Sequence, residues 1–374
     1  MHCEILEPGT PAWKTVLDKV PHDFYHRPEY VRLSAEEMVG TVPSAFLAAD
    51  DDGIFFLPFL LREIDTDLMD APLWDAVTPY GYSPPLIKVR EGVSLDRFTE
   101  RAVAALAAHF AEHRIVSLFV RLHPLLPIPM EPLSAAGTLL QHGETVYIDL
   151  RKSDEQFQAE LSTQTRRHLR RAERDGIQVE VDTDWSALPQ FEEVYTQTMS
   201  RVHAVQEYYF THDYFRAIQQ QMGDCMHLLV VRYQGEVIAA SLFSELHGIV
   251  QYHLSGRRDG TEKLPSYFCL LVFARNWFKA RGNNFLHLGG GVGNRADSVF
   301  RFKTNFSDDR AHFHTWRLIT DQIAYDKLVR AWEQQVGVAA QGLAGYFPEY
   351  RAPVPAGKTE ESQTADVVEE SAVS

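Results

Sequence analysis

Two periods of apolar residues organise this chain. In its second half, Ser153 followed by Asp-Glu-Gln reads as a capping box closed by Gln156. The helical period continues through Phe157, Leu161 and Ala172 to Gly176, a suitable residue for a left-handed helix end. The alternating stretch 177–181 predicts a strand, and 185–202 and 209–222 predict two helices. Residues 226–233 and 236–245, joined by Gln234-Gly235, predict a hairpin. His247-Gly248 turns into a further strand, 249–256, and Pro265 opens a long helix ending near Gly282. A strand (285–289), a short helix (298–306), a strand (312–319) and a closing helix follow. The first half shows the same order, with its hairpin turning at Asp50–Gly53 and its long helix over 94–113. Each half reads β-α-α-β-β-β-α-β-α-β, a structural repeat without evident sequence identity.

This pattern predicts an α/β (α+β) protein of two consecutive domains, 1–150 and 151–350. Residues 352–374 lack aromatics and carry few large aliphatics, so 351–374 is expected to be a disordered acidic tail. Hydrophobic residues make up 45% of the 374 and charged residues 23%, which fits a folded chain and excludes collagen-like or low-complexity classes. The net charge of −15 argues against coating nucleic acid by bulk charge but leaves room for a local basic groove. The three cysteines, Cys3, Cys225 and Cys269, have neither ligand nor redox spacing and read as reduced thiols. With no signal peptide and no run long enough to span a bilayer, a cytoplasmic protein without membrane insertion is expected.

The element order resembles the GNAT N-acyltransferase fold, and two such units in tandem resemble the Fem family. The resemblance rests on TRRHLRRAERDGIQV (165–179), TMSRVHAVQEYYF (198–210), YHLSG (252–256), HLGGG (287–291) and FRFKTNF (300–306), in that order. PYGY (79–82) and FVRLHPLL (119–126) resemble first-domain motifs of a related bacterial subgroup. The links at 202–210 and 223–226 are too short for the helical arm of staphylococcal Fem enzymes, as in shorter relatives. Membership would imply transfer of an aminoacyl group from tRNA to an amine. The acceptor would be a cell-wall precursor, a polysaccharide or a natural-product intermediate.

The resemblance makes Lys303 the candidate catalytic residue. Attack of an amine on an ester builds an oxyanion, which a fixed cation or donor must meet. Its neighbour Phe302 would shape the pocket or stack on the terminal adenine of the donor; core packing is the other reading. Arg201 resembles the Fem residue that contacts the acceptor, and Tyr208 and Tyr252 would line the same channel. Three consecutive glycines, Gly289, Gly290 and Gly291, are costly in chain entropy and imply either close approach to a ligand or the first domain, or a tight strand exit. Their spacing is not a dinucleotide fingerprint.

Five arginines crowd the helix over 165–175. Arg166, Arg170 and Arg174 fall on one stripe, where like charges repel unless an anion meets them. A tRNA acceptor stem or a substrate phosphate would serve, so Arg166 and Arg170 join the candidate substrate-binding set; a solvated face is the alternative. The loop GRRDGTEKLP (256–265) lacks the glycine spacing of an acyl-CoA phosphate loop, and Pro265 removes one N–H donor. Arg257, Arg258 and Lys263 remain there to meet phosphates. Asp75, Glu207 and His253 are weighed as general bases and none is assigned. His312 and His314 share a strand face, too few for a metal site, and no metal or dissociable cofactor is expected. The expected protein is an acyltransferase using aminoacyl-tRNA. The alternatives are an acyl-CoA-dependent N-acetyltransferase on the same fold and a non-catalytic module for anionic glycans or RNA. No DNA partner is expected.

Overall fold

The computed structural model describes residues 1–66, 71–337, 339 and 346–353, with the side chains of Glu207 and Asn294 excepted. In chain order the elements open with β1 (His2–Leu6), α1 (Pro11–Lys19), α2 (Pro28–Glu37), β2 (Thr41–Asp50), β3 (Gly53–Ile64) and β4 (Leu73–Val77). They continue with β5 (Leu86–Val89), α3 (Leu95–Glu112), β6 (Ile115–Leu122), α4 (Met130–Ala136) and β7 (Thr138–Asp149). Next come α5 (Asp154–Glu160), α6 (Thr163–Asp175), β8 (Gln178–Asp182), α7 (Leu188–Arg201) and α8 (His212–Met222). The chain closes with β9 (Met226–Tyr233), β10 (Glu236–Leu246), β11 (Ile249–Arg257), α9 (Ser266–Ala280), β12 (Phe285–Gly289), α10 (Ser298–Lys303), β13 (Arg310–Ile319) and α11 (Gln322–Val336). The protein is a mixed α/β fold.

The compact units are not the two consecutive halves that the repeat predicts. One comprises Met1–Gln141 and the described residues from His314 onward; the other comprises His142–Phe313. The difference lies in which strand follows which. In the first unit β6 pairs antiparallel with the His314–Ile319 part of β13. In the second, β12 pairs antiparallel with the Val146–Asp149 part of β7. Each unit therefore takes its closing strand from the other half of the sequence.

In the first unit the hairpin β2–β3 lies between β1 and β4, and β5 adds to the far part of β3. α3 covers the sheet with Phe98, Ala102, Leu106 and Phe110, which join one core with Phe46, Phe55 and Phe59. The expected tail begins too early. Arg351 and Ala352 belong to the fold: Arg351 Nε donates to Asp75 Oδ2 at 2.6 Å, and Ala352 is buried. Residues 354–374 lie outside the described residues.

In the second unit the sheet runs β7, β12, β11, β10, β9, β8. β10 and β11 are buried along nearly their whole length, which the near-continuous apolar run of β10 requires. α9 covers one face through Leu270, Leu271, Ala274 and Phe278. α7 packs closely on β11 because residue 256 is glycine; a Cβ there would overlap the Tyr195 backbone. The helix predicted from Ser153 to Gly176 is two. The capping box of Ser153 and Gln156 starts α5, but Leu161 is extended and Ser162 starts α6 by accepting from Thr165 N at 3.0 Å. A second cap residue in the sequence thus ends the first helix. The predicted hairpin turns hold, with Gln234-Gly235 and His247-Gly248 both at positive φ. No helix among the described residues is long and apolar enough to cross a membrane.

Candidate active site

The site begins where two parallel strands part. β11 and β12 pair only over Ile249–Gln251 against Phe285–His287. At the apex the Gln251 amide oxygen and His287 Nδ1 lie 2.7 Å apart, both side chains buried. Beyond it β11 carries a bulge at His253. The register passes from Leu242/Leu254 to Phe243/Tyr252, so Tyr252 and Ser255 face the same side as Phe243 and Ser241. On that side lies a pocket of about 360 Å³. Its walls are Tyr252 and Arg257 of β11, the connection Glu262–Pro265, Tyr267 and Phe268 of α9, Gln164 and His168 of α6, and Ser298, Val299, Phe302 and Lys303 of α10.

Lys303 is fully buried in this wall, and its Nζ donates to the Gly290 carbonyl at 2.7 Å. Burial pushes its ammonium down from 10.5 to about 7, against the opposing pull of Asp297. Near neutral pH the side chain is therefore divided between ammonium and free amine. The expectation from sequence was a fixed cation or hydrogen-bond donor; burial also lets this amine take up and return a proton. Asp297 builds the loop that holds it. Its carboxylate accepts from Phe300 N at 2.8 Å, capping α10, and from Val292 N at 2.9 Å.

The glycine run serves the same loop. Gly289 has φ +78°, and the Gly290 carbonyl receives Lys303. A Cβ on Gly291 would overlap Arg295 O and Asp297 Oδ1. The close approach is thus to the chain's own loop. Gly291→Ala should lower stability by about 2 kcal/mol, from overpacking and a weakened cap, measured by urea unfolding. An unchanged midpoint would mean the loop yields freely.

Phe302 stands between core and pocket. Its ring packs edge-on against Phe268 and Phe306, at 5.2 Å each, and it lines the pocket. The arginine stripe does not face the pocket. Helical residues two apart point about 200° apart, so α6 turns Gln164 and His168 to the pocket and Arg166 and Arg170 away from it. Arg166 donates to Gln158 O at 2.9 Å, Arg170 is exposed, and Arg174 pairs with Asp175. His168 was not singled out in the sequence. It stacks on Phe268 at 4.3 Å, and burial with Arg171 and Arg167 holds its imidazolium below the ordinary range. The i, i+4 pair 164/168 opposite the basic stripe was the available signal.

Arg201 lies outside the pocket wall and fastens the loop beside it, pairing with Asp259 and donating to Thr198 Oγ1 at 3.1 Å. Arg258 turns to Glu193, 3.1 Å away, while Arg257 and Lys263 stay on the pocket. Tyr208 also falls outside the lining; its carbonyl accepts from Tyr195 OH at 2.9 Å. Of the bases weighed, Asp75 belongs to the first unit, where it is buried among Arg62, Tyr350 and Arg351. His253 is buried at the bulge, and the Glu207 side chain lies outside the described residues. His312 and His314 gather no third ligand among the described residues. In the first unit His109, Glu112 and His113 bring three ligand atoms within 4.8 Å of one another.

Residues 159–304, wholly within the second unit, match the family model described as acetyltransferase (GNAT) domain. This segment is similar to an acetyltransferase (GNAT) domain. The likeness of fold extends further. FemX superposes with a TM-score of 0.62 at 12% identity, over 87% of this chain and 99% of that one. L-PGS from Bacillus licheniformis gives 0.51 at 14% identity, over 83% and 92%. A conserved protein of unknown function from Bacteroides thetaiotaomicron gives 0.54 at 9%, over 85% and 100%. The chain has the Fem-like GNAT acyltransferase fold. A comparison with curated protein sequences finds no match.

Proposed function

We propose that the GNAT domain transfers an aminoacyl group from tRNA to an amine acceptor, with Lys303 as the proton acceptor. The observation that carries this reading is the buried Lys303 amine, poised near pH 7 in the pocket wall. The acceptor nitrogen attacks the ester carbonyl, the C–N bond forms, and the C–O bond to the ribose breaks. The proton leaving the nitrogen passes to the Lys303 amine and then to the departing ribose oxygen, so nothing is gained or lost overall. While protonated, Lys303 stabilises negative charge on the carbonyl oxygen. The aromatic walls of the pocket offer stacking surfaces for a terminal adenine, and Arg257 and Lys263 would meet phosphates. The exposed Arg167 and Arg170 of α6 would meet the tRNA backbone. The likeness to FemX supports a peptidoglycan precursor as acceptor, beside a polysaccharide or natural-product intermediate.

A thioester donor is the second reading, favoured by a pocket set at the first turn of α9, where N–H groups point outward. Pro265 and a loop fastened by Arg201 and Arg258 speak against it. Donor binding separates the two. Charged tRNA should bind better than acetyl-CoA, losing about 100-fold between 50 and 200 mM salt if about four phosphates are contacted. Micromolar acetyl-CoA binding without a preference for tRNA would replace the first reading by the second.

A further inference from the structure

The end of α3 gathers three metal-ligating side chains on one face. His109, Glu112 and His113 stand at i, i+3 and i+4, positions that a helix places side by side. Their ligand atoms all lie within 4.8 Å of one another. Phe98, Ala102, Leu106 and Phe110 turn the other side of the helix into the core of the first unit. The cluster is left at the surface, with His109 half-buried and Glu112 and His113 exposed.

Two features separate it from an ordinary solvated helix end. First, His113 Nδ1 lies 2.8 Å from the His109 carbonyl oxygen. A carbonyl only accepts, so Nδ1 carries a proton and the neutral ring keeps its lone pair on Nε2. A histidine that ligates a metal is typically held in this way, its other ring N–H donating to a carbonyl or carboxylate. Second, the His109 ring makes no hydrogen bond among the described residues, and its Nε2 is buried without a partner. Buried polar groups are ordinarily paired, so this ring is costly as it stands. It lies 5.6 Å from the Phe46 ring and 4.2 Å from that of His113. No cation competes for the cluster: Arg114 donates to the carbonyls of Ala71 and Pro72 at 3.0 and 3.1 Å, and Glu112 is in no ion pair among the described residues.

We infer that His109, Glu112 and His113 bind one divalent transition-metal ion, of which Zn²⁺ is the type. Two imidazoles and a carboxylate suit zinc, whereas Ca²⁺ and Mg²⁺ take oxygen ligands. A tetrahedral ion with bonds of about 2.1 Å needs ligand atoms about 3.4 Å apart. Rotation of the exposed Glu112 and His113 side chains supplies the remaining approach, and the fourth position stays open to water. The ion would clamp the end of α3 where the chain turns through Arg114, at φ +58°, into β6.

The test is calorimetric titration of the full chain, stripped with EDTA and dialysed, with ZnCl₂ and separately with CaCl₂. His113→Gln and the Glu112→Gln, His113→Gln double variant are titrated beside it; both positions are exposed, and the urea midpoint without metal checks their folding. Zn²⁺ should bind one to one with a Kd of about 1–10 μM, and at least about 30-fold more weakly in either variant. Because the ion stabilises only the folded chain, about 100 μM Zn²⁺ should raise the urea midpoint of the unaltered protein and not that of the variants. A Kd above about 100 μM overturns the site. Binding that both variants retain also overturns it, placing the ion on other histidines. Ca²⁺ binding as tight as Zn²⁺ does the same, since the net charge of −15 alone would then explain it. A further readout needs no variant: Zn²⁺ should protect His113 from diethyl pyrocarbonate, mapped by mass spectrometry, and equal modification with and without the metal overturns the proposal.

Discussion

Lys303→Met should abolish most of the activity and make the protein more stable at the same time. Removing a positioned proton acceptor costs about 10²- to 10⁴-fold in rate. The stability effect follows from the same burial. In the folded chain the ammonium is pushed down from 10.5 to about 7, so between those values the unfolded chain binds more protons. Native stability therefore rises with pH through that window, and the full penalty applies below about pH 7. A shift of this size corresponds to about 5 kcal/mol. Methionine removes that penalty but leaves the Gly290 carbonyl without its donor, at about 1–3 kcal/mol. The variant should therefore gain about 2–4 kcal/mol at pH 6 and almost nothing at pH 9, read from urea unfolding at both values. The activity of the unaltered protein should climb with unit slope to a plateau above about pH 7. A variant destabilised at pH 6, or an activity that falls through pH 7, would return Lys303 to the role of a fixed cation.

Lys303 also shows where sequence reasoning reaches its limit. A lysine in FRFKTNF is singled out by resemblance, and nothing in its spacing separates it from a surface lysine. What distinguishes it is a carbonyl from a different segment, Gly290, and its full burial in a pocket wall shared with Tyr267, Phe268 and Phe302. The glycine run was legible as a constraint, but its partner, Asp297, lay beyond the motif. Local elements were largely readable because caps, turns and apolar periods are local: Gln234-Gly235 and the Ser153 box fall where expected. The break at Ser162 needed a choice between two good cap residues. The closing strands were harder, since β7 and β13 carry similar alternation and either can complete either sheet by pattern alone. Charge density marked the arginine stripe but gave no direction relative to the pocket. Helical phase places Gln164 and His168, which line the pocket, about opposite Arg166 and Arg170.

Asp75, weighed as a base on its position in the sequence, should behave as a structural anchor. It is fully buried in the first unit, and three groups converge on its carboxylate. Arg62 Nε donates to Oδ1 at 2.6 Å; Arg351 Nε and the Tyr350 hydroxyl donate to Oδ2 at 2.6 and 3.1 Å. Ser117 extends the network, 2.9 Å from the Tyr350 oxygen. Asp75→Ala leaves two guanidinium groups and a phenol without the charge they were folded around, and breaking a buried pair in this way costs about 3–5 kcal/mol. Arg351 lies close to the end of the described chain and is tied to β4 through this carboxylate. Its release should show as faster trypsin cleavage after Arg351 under native conditions. A general base would give the opposite pattern, with stability intact and kcat lowered at least 100-fold. Measuring the urea midpoint beside kcat for the folded fraction distinguishes them. The expected result is a large loss of the first with the second within a few-fold. The reason is geometric: both carboxylate oxygens are already engaged by arginine side chains of the first unit.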